Sequence, residues 1–209
     1  MLVIKHPTPD SSELEFVTRA LEQGALVVLP TDTVYGLAAL ASDEAAVAKM
    51  YAAKGRRPEQ PTAVICASID QLRTTFPELS NRASWAVAAL LPGPWTLIVH
   101  NPHGTFPWLT GGVPGPIGLR VPGGALELPP VAATSANVAG SEPATSPADI
   151  DPALIEHIAC AVDRGSFPTA TASTILDLTA WEADTGDVIV VRDEAGRAAQ
   201  AIAVLSTSP

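Results

Sequence analysis

A short apolar strand that ends abruptly in hydroxyl and carboxyl side chains narrows the choice of fold for this chain. Residues 25–29 are Ala-Leu-Val-Val-Leu, and they run directly into Pro30-Thr31-Asp32-Thr33. Polar side chains at this point cannot extend the core, so they face a turn, solvent or a ligand. Open α/β sheets bind small molecules at the carboxyl ends of their strands. The segment therefore predicts either a capped turn or one wall of a binding site.

Apolar segments with strand character alternate with amphipathic helical segments, which favours an α/β (α+β) fold. Helices are predicted from Ser12, from Ser42, from Ser68 and over 81–91, and residues 196–205 form either a small helix or a frayed tail. Strands are predicted near 25–30, 61–67, 95–100, 117–121, 131–135, 158–162, 173–178 and 187–192, with a Pro/Gly-rich loop at 101–116 and a polar connection at 140–152. We expect one mixed sheet in a single domain over 1–209, with a core at about 10–195 and a C-terminal tail at 196–209.

The composition limits the partners and the compartment. The net charge of −10 opposes loose, phosphate-driven binding to nucleic acid. No run reaches the roughly 18 apolar residues of a membrane span, and the N-terminus lacks the layout of a signal peptide. Cys66 and Cys160 lie in apolar segments and are expected to be buried thiols. We therefore expect a cytoplasmic protein without a membrane partner.

Three cations, Lys54, Arg56 and Arg57, lie within four positions where the second predicted helix ends. Two interpretations remain open. Cations at a helix C-terminus offset the helix dipole and contribute roughly 0.3–1 kcal/mol. Cations that bind an anion contribute about 1.5–3 kcal/mol for each charge-assisted hydrogen bond. Because the chain has only 12 basic residues and Pro58 follows the cluster, we favour anion binding.

Hydroxyl, amide and arginine side chains also stand at or near the ends of later strands. Such residues bring hydrogen-bonding groups close to a ligand without adding bulk. Arg120 is the one charged residue of an apolar strand and needs an anionic partner, which a ligand carboxylate would supply. The other candidates are Thr134, Ser135, Asn137, Ser173 and Arg192.

Taken in order, these segments resemble the YrdC/Sua5 family, the threonylcarbamoyl-AMP synthases that start the t6A modification of tRNA. The resemblance runs from residue 25 to residue 192, and the length is similar to that of the short bacterial form. The matching segments are residues 30–37, Lys54-x-Arg56, Pro92-Gly93-Pro94-x-Thr96, Trp108-Leu109-Thr110-Gly111, Gly118-x-Arg120, Ser135-Ala136-Asn137, Ser173-Thr174 with Asp177, and Arg192. Each match alone is weak, and the eight in sequence order are specific.

The resemblance implies a YrdC-like domain, in which a twisted mixed β-sheet with flanking helices presents a concave ligand-binding face. It also implies synthesis of L-threonylcarbamoyladenylate from L-threonine, bicarbonate or CO2, and ATP, with release of pyrophosphate and with Mg²⁺ carried by the nucleotide phosphates. Positioning and charge neutralisation would then replace a side-chain nucleophile. The implied ATP-binding residues are Lys54, Arg56, Ser135, Asn137, Thr145 and Arg192, and the implied threonine-binding residues are Thr31, Thr33, Arg120, Thr134 and Ser173.

A separate threonylcarbamoyl transferase complex is the partner that the resemblance implies downstream. The acidic charge predicts weak or no direct tRNA binding. Two alternatives remain open: a YrdC-like relative that acts on a different acyl-adenylate, and an RNA-binding module that uses the concave sheet. Arg57, Thr62 and Ile65 depart from the family pattern, and the sequence does not separate the synthase from the first alternative.

Overall fold

Ten β-strands form one mixed sheet in the computed structural model, which describes residues 1–5, 7–8, 11–111, 115–138, 141–167 and 171–208. The strands are β1 (Leu2–Lys5), β2 (Leu26–Pro30), β3 (Tyr35–Leu40), β4 (Val64–Ile65), β5 (Trp95–Val99), β6 (Ile117–Arg120), β7 (Val131–Ser135), β8 (Ile158–Asp163), β9 (Thr174–Asp177) and β10 (Ile189–Arg192). Their order across the sheet is β1-β8-β2-β3-β7-β4-β6-β5-β9-β10. Some neighbours are parallel, such as β4 with β6, and others are antiparallel, such as β3 with β7. The predicted fold class is confirmed.

Seven α-helices flank this sheet within the described ranges. They are α1 (Ser12–Glu22), α2 (Glu44–Ala53), α3 (Ile69–Thr75), α4 (Asn81–Leu90), α5 (Pro152–Ile155), α6 (Thr179–Glu182) and α7 (Ala198–Leu205). Side-chain caps explain several of their starts: the Ser11 hydroxyl accepts from the Leu14 amide at 3.2 Å, and the Ser80 hydroxyl accepts from the Ala83 amide at 3.1 Å. None of the helices described is long and apolar enough to cross a membrane.

Different helices pack against the two faces of the sheet. Residues that lie opposite each other in a ladder project to the same face. The first face includes Val28, Leu37 and Leu119, and it forms a large apolar cluster with residues of α2, α3, α4 and α7. The second face includes Val27 and Leu29, and α1 covers it at the β1–β8–β2 end. Further along the sheet, this second face carries the polar residues considered below.

Three elements of the structure differ from the sequence expectation. β3 continues the chain after the polar turn as a buried strand, although the sequence assigned no strand there. β1 pairs with β8, and α7 is a helix whose Ala201 and Leu205 are buried, so both elements lie outside the expected core bounds of 10–195. Residues 112–114 of the predicted loop and residue 140 of the predicted connection are outside the described residues.

Candidate ligand-binding site

A polar cavity of about 420 Å³ lies on the second face of the sheet. Its lining comes from several segments that are far apart in the sequence. Eight of the residues predicted for binding are among those that line it: Thr31, Thr33, Arg56, Arg120, Thr134, Ser135, Ser173 and Arg192. The fold therefore brings together most of the polar strand-end residues that the sequence singled out.

Strand register explains why these side chains converge. Val131 lies opposite Ile65, and Ile65 lies opposite Arg120. Residues two apart in a strand share a face, so Ala133 and Ser135 project to the same side as Val131. The side chains of Ile65, Arg120, Ala133 and Ser135 consequently face one cavity.

The turn between β2 and β3 is built by the Thr31 hydroxyl. Its oxygen accepts hydrogen bonds from the Thr33 and Val34 amides, both at 3.1 Å, and the hydroxyl donates to the Val34 carbonyl at 2.7 Å. The Thr31 and Thr33 hydroxyl oxygens are 3.0 Å apart. The predicted capped turn is therefore present, and Thr31 and Thr33 also line the cavity, so the role of this segment in ligand binding stays a prediction.

Arg120 has an anionic partner within the protein. Its Nη2 donates to Asp32 Oδ1 at 2.5 Å and to Thr33 Oγ1 at 2.7 Å, and Asp32 Oδ2 accepts from the Gly123 amide at 2.9 Å. Burial lowers the pKa of Arg120, and the Asp32 carboxylate opposes this shift. The sequence argument named a ligand carboxylate as this partner. The structure shows that Asp32 already supplies a negative charge, and contact of Arg120 with a ligand carboxylate stays a prediction. The Arg120 Nε remains buried without a hydrogen-bond partner among the described residues.

Lys54 lies where α2 ends and is buried, with 5% of its surface exposed. Its Nζ donates to the Ser135 carbonyl at the end of β7. Burial, and then the charge of Arg56, lower the pKa of Lys54 to about 8. Lys54 is not among the residues that line the cavity, so the ammonium lies directly beneath the Ser135 edge of the site.

Arg56 enters the cavity and is held from several sides. Nη1 donates to Thr134 Oγ1 at 3.2 Å, Nη2 donates to the Pro61 carbonyl at 2.5 Å, and the guanidinium lies 5.8 Å from the centre of the Tyr51 ring. Among the described residues, no carboxylate lies within salt-bridge distance of Lys54 or Arg56. These two charges are uncompensated, which favours the anion-binding interpretation. Arg57 is exposed.

A second polar group lines the cavity where β5 and β9 meet. Thr96 Oγ1 and Ser173 Oγ are 2.9 Å apart and buried. Arg192 donates from Nε to the Ser173 carbonyl at 3.0 Å and from Nη2 to the Ser173 hydroxyl at 3.1 Å. Ile175 lies opposite both Thr96 and Arg192, so the register places these side chains on the cavity face. Burial lowers the pKa of Arg192, and the Glu194 carboxylate opposes this.

Besides Lys54, two predicted residues do not line the cavity. Asn137 is buried, and its amide donates to the Val138 carbonyl at 3.1 Å and to the Ser141 carbonyl at 2.6 Å. Thr145 donates its hydroxyl proton to the Asp149 carboxylate at 2.8 Å. Both side chains therefore hold the connection after β7, and their contact with a nucleotide stays a prediction.

Sequence reasoning missed five polar residues that line the cavity: Thr62, Thr96, Ser141, Glu142 and Glu194. Thr96 belongs to a matching segment, and its position at the start of a predicted strand was the signal that it faces a site. Glu142 and Glu194 lie in connections, where no periodicity indicates a direction. The described residues contain no group of three or more His, Cys, Asp or Glu side chains that could hold a metal ion.

Comparison with known proteins gives the relationships of the chain. The Sua5/YciO/YrdC family model, described as telomere recombination, matches residues 19–192. A Pyrococcus abyssi (strain GE5 / Orsay) protein named threonylcarbamoyl-AMP synthase is 34% identical over 168 residues, which is 77% of this chain and 49% of the relative. A protein of the same name from Xanthomonas euvesicatoria pv. vesicatoria (strain 85-10) is 32% identical over 177 residues, which is 80% of this chain and 94% of the relative. The chain thus spans about half the length of the Pyrococcus relative.

Among solved structures, the crystal structure of P. abyssi Sua5 complexed with L-threonine resembles the fold described here. The TM-score is 0.79 at 30% sequence identity, and the match covers 91% of this chain and 56% of that chain. The mixed sheet and its flanking helices are therefore shared with that protein.

Proposed function

The chain belongs to the Sua5/YciO/YrdC family, and on that premise we propose that it is an L-threonylcarbamoyladenylate synthase. It takes L-threonine, bicarbonate or CO2, and ATP, and it releases pyrophosphate. One observation carries the proposal: Arg56, Arg120 and Arg192 converge with eight hydroxyl side chains on one cavity, and Lys54 lies beneath it. Such a cavity suits reactants that are all anionic at the reacting centre.

The reaction divides into two bond-forming steps. The neutral amine of threonine attacks CO2, a carbon–nitrogen bond forms, and a proton leaves to give an N-carboxylate. A carboxylate oxygen then attacks the α-phosphorus of ATP, and the bond to the β-phosphate oxygen breaks to release pyrophosphate. Neither step needs a side-chain nucleophile, so the protein contributes orientation and charge neutralisation.

We assign the amino acid to the Thr31, Thr33, Arg120, Thr134 and Ser173 side of the cavity. Arg120 offers its Nε, which has no hydrogen-bond partner among the described residues, because Nη2 is already engaged by Asp32 and Thr33. Hydroxyl groups both donate and accept, which suits a zwitterion with an ammonium and a carboxylate.

We assign the nucleotide to the side that carries Lys54, Arg56 and Arg192, with Ser135, Asn137 and Thr145 as further contacts. The supporting observation is that Lys54 and Arg56 have no carboxylate partner among the described residues, so a triphosphate would supply the missing negative charge. Because Arg56 is already held by Thr134 and Pro61, little ordering is needed when the anion arrives.

Mg²⁺ is expected to accompany the triphosphate, where it neutralises phosphate charge. Nucleotide sites hold this ion through one or two carboxylates together with the substrate phosphates and water. Glu142 and Glu194 are the carboxylates that line the cavity, and they would hold the ion.

The proposed activity is tested by incubating the protein with ATP, Mg²⁺, threonine and ¹³C-bicarbonate. Pyrophosphate is measured, and the labelled threonylcarbamoyl-adenylate is sought by mass spectrometry. Arg56→Ala should weaken ATP binding by about 1.5–3 kcal/mol. Arg57→Ala is the matched control, because it removes the same charge from the exposed neighbouring position. A pyrophosphate release that does not depend on threonine would contradict the proposal, and so would equal effects of the two substitutions.

The adenylate is proposed to pass to a separate transferase complex that modifies tRNA in the cytoplasm. With 22 acidic and 12 basic residues, the chain lacks the charge balance that favours binding along a phosphate backbone. The cations of the cavity are assigned to ATP and threonine and are not available to tRNA. We therefore propose weak or no direct tRNA binding by the isolated chain.

A further inference from the structure

A small apolar pocket, here called the annex, adjoins the polar cavity on the same face of the sheet. Its volume is about 30 Å³. Thr31, Gly36, Ile65 and Ala133 line both the annex and the cavity. The remaining wall is formed largely by the segment that follows β6, together with a residue of β2 and the residue that follows β4: Leu29, Cys66, Ala125, Leu126, Leu128 and Pro129.

The annex lies close to Arg120. Ile65, which lines it, is directly opposite Arg120 in the β4–β6 ladder, and adjacent strands are about 4.8 Å apart. Thr31 provides a second link, because its hydroxyl oxygen is 3.5 Å from Arg120 Nη2. A group attached by a few covalent bonds to a carboxylate at Arg120 would reach the annex.

The lining of the annex accepts only a small uncharged group. No charged side chain lines it among the described residues. Burial raises the pKa of the Cys66 thiol to about 12, so this wall is neutral at physiological pH. Leu126 and Leu128 are buried and pack in the apolar cluster beneath α1, which fixes the size of the space.

We infer that the annex receives the side-chain methyl group of the amino acid and thereby sets the size of the amino acid that the site accepts. The inference rests on the proposed function, because it requires an amino-acid carboxylate beside Arg120. One methyl group in an apolar pocket changes binding by about 10–200-fold, so threonine should bind more tightly than serine within that range.

Two substitutions change the annex without touching the cations of the cavity. Ala125→Val should fill the annex, and threonine binding should then weaken toward that of serine, while serine binding changes little. Leu126→Ala should enlarge it and improve the binding of 2-amino-3-hydroxypentanoate, which carries one more methylene than threonine, relative to threonine. Ala199→Val is the matched control, because it makes the same substitution at an exposed position of α7.

Calorimetry with threonine, serine and 2-amino-3-hydroxypentanoate gives the three dissociation constants for each variant, and the KM for ATP is measured in parallel. The inference is overturned if Ala125→Val has the same ratio of threonine to serine dissociation constants as the wild type. It is also overturned if none of the three amino acids binds. The proposed function fails separately if wild-type protein binds threonine but forms no adenylate. Thermal unfolding of Leu126→Ala accompanies the measurement, and Ala125→Val carries the test if that variant does not fold.

Discussion

Replacing Arg120 with methionine should destabilise the fold as well as abolish the use of threonine. Arg120 and Asp32 form a buried ion pair, with side chains 9% and 16% exposed. Methionine removes the guanidinium and leaves the Asp32 carboxylate near the protein interior without its cation. The Gly123 amide is the one hydrogen-bond partner that Asp32 would keep among those described.

The expected loss in the free energy of unfolding follows from this burial. Removing one member of a buried pair costs about 3–5 kcal/mol, because a charge is left uncompensated. We expect a value near 3 kcal/mol for Arg120→Met, since the Asp32 side chain keeps some contact with water. Adding Asp32→Asn removes the stranded charge, so the double variant should be more stable than Arg120→Met alone. The coupling energy should lie at the upper end of the roughly 0.5–3 kcal/mol seen for contacting residues.

Urea unfolding of the wild type, both single variants and the double variant measures this cycle. Threonine-dependent pyrophosphate release is measured on the same four proteins. If Arg120 also binds the threonine carboxylate, the double variant recovers stability and remains inactive. Recovery of turnover together with stability would instead limit Arg120 to a partner of Asp32.

Two results would refute the structural reasoning. The first is an Arg120→Met protein as stable as the wild type, which would mean that the pair contributes nothing. The second is additivity of the two single effects within about 0.5 kcal/mol, which would mean that the side chains do not interact.

Three further predictions follow from single features. Burial and the charge of Arg56 lower the pKa of Lys54 to about 8, so its ammonium is charged below that pH and neutral above it. Measured ATP affinity should therefore fall between pH 7 and pH 9. The Lys54→Arg variant, which stays charged, should not show this fall. Gly111 has φ of +86°, and an added Cβ would lie 2.7 Å from the Glu59 carbonyl oxygen. Gly111→Ala should therefore lower the free energy of unfolding by about 1–3 kcal/mol. Gly104→Ala is the control and should lower it clearly less, because a Cβ at Gly104 meets open space. Binding of tRNA to the isolated chain at physiological salt should show a Kd no tighter than the roughly 10⁻⁴–10⁻⁶ M of non-specific contacts, and submicromolar binding would instead favour an RNA-binding module.

The sequence by itself predicted most of the elements and most of the polar residues that the fold brings together at the cavity. Apolar segments bounded by turn residues predicted eight of the strands, because burial periodicity and turn preferences are local properties. The cluster at Lys54 and Arg56 predicted anion binding, because neighbouring cations repel each other unless an anion balances their charge. The order of the short matches along the chain predicted the family.

Tertiary structure decided which residues meet. Asp32 and Arg120 are 88 positions apart, and nothing in either segment indicates that one compensates the other. The strand β3 was missed because the polar turn that Thr31 builds comes directly before it and interrupts the apolar pattern. Asn137 was predicted to contact the nucleotide, whereas its amide donates to carbonyl groups of the connection that follows β7. The annex exists only because β4 lies between β6 and β7. Strand order and register depend on contacts distant in sequence, so local propensity and patterning do not determine them.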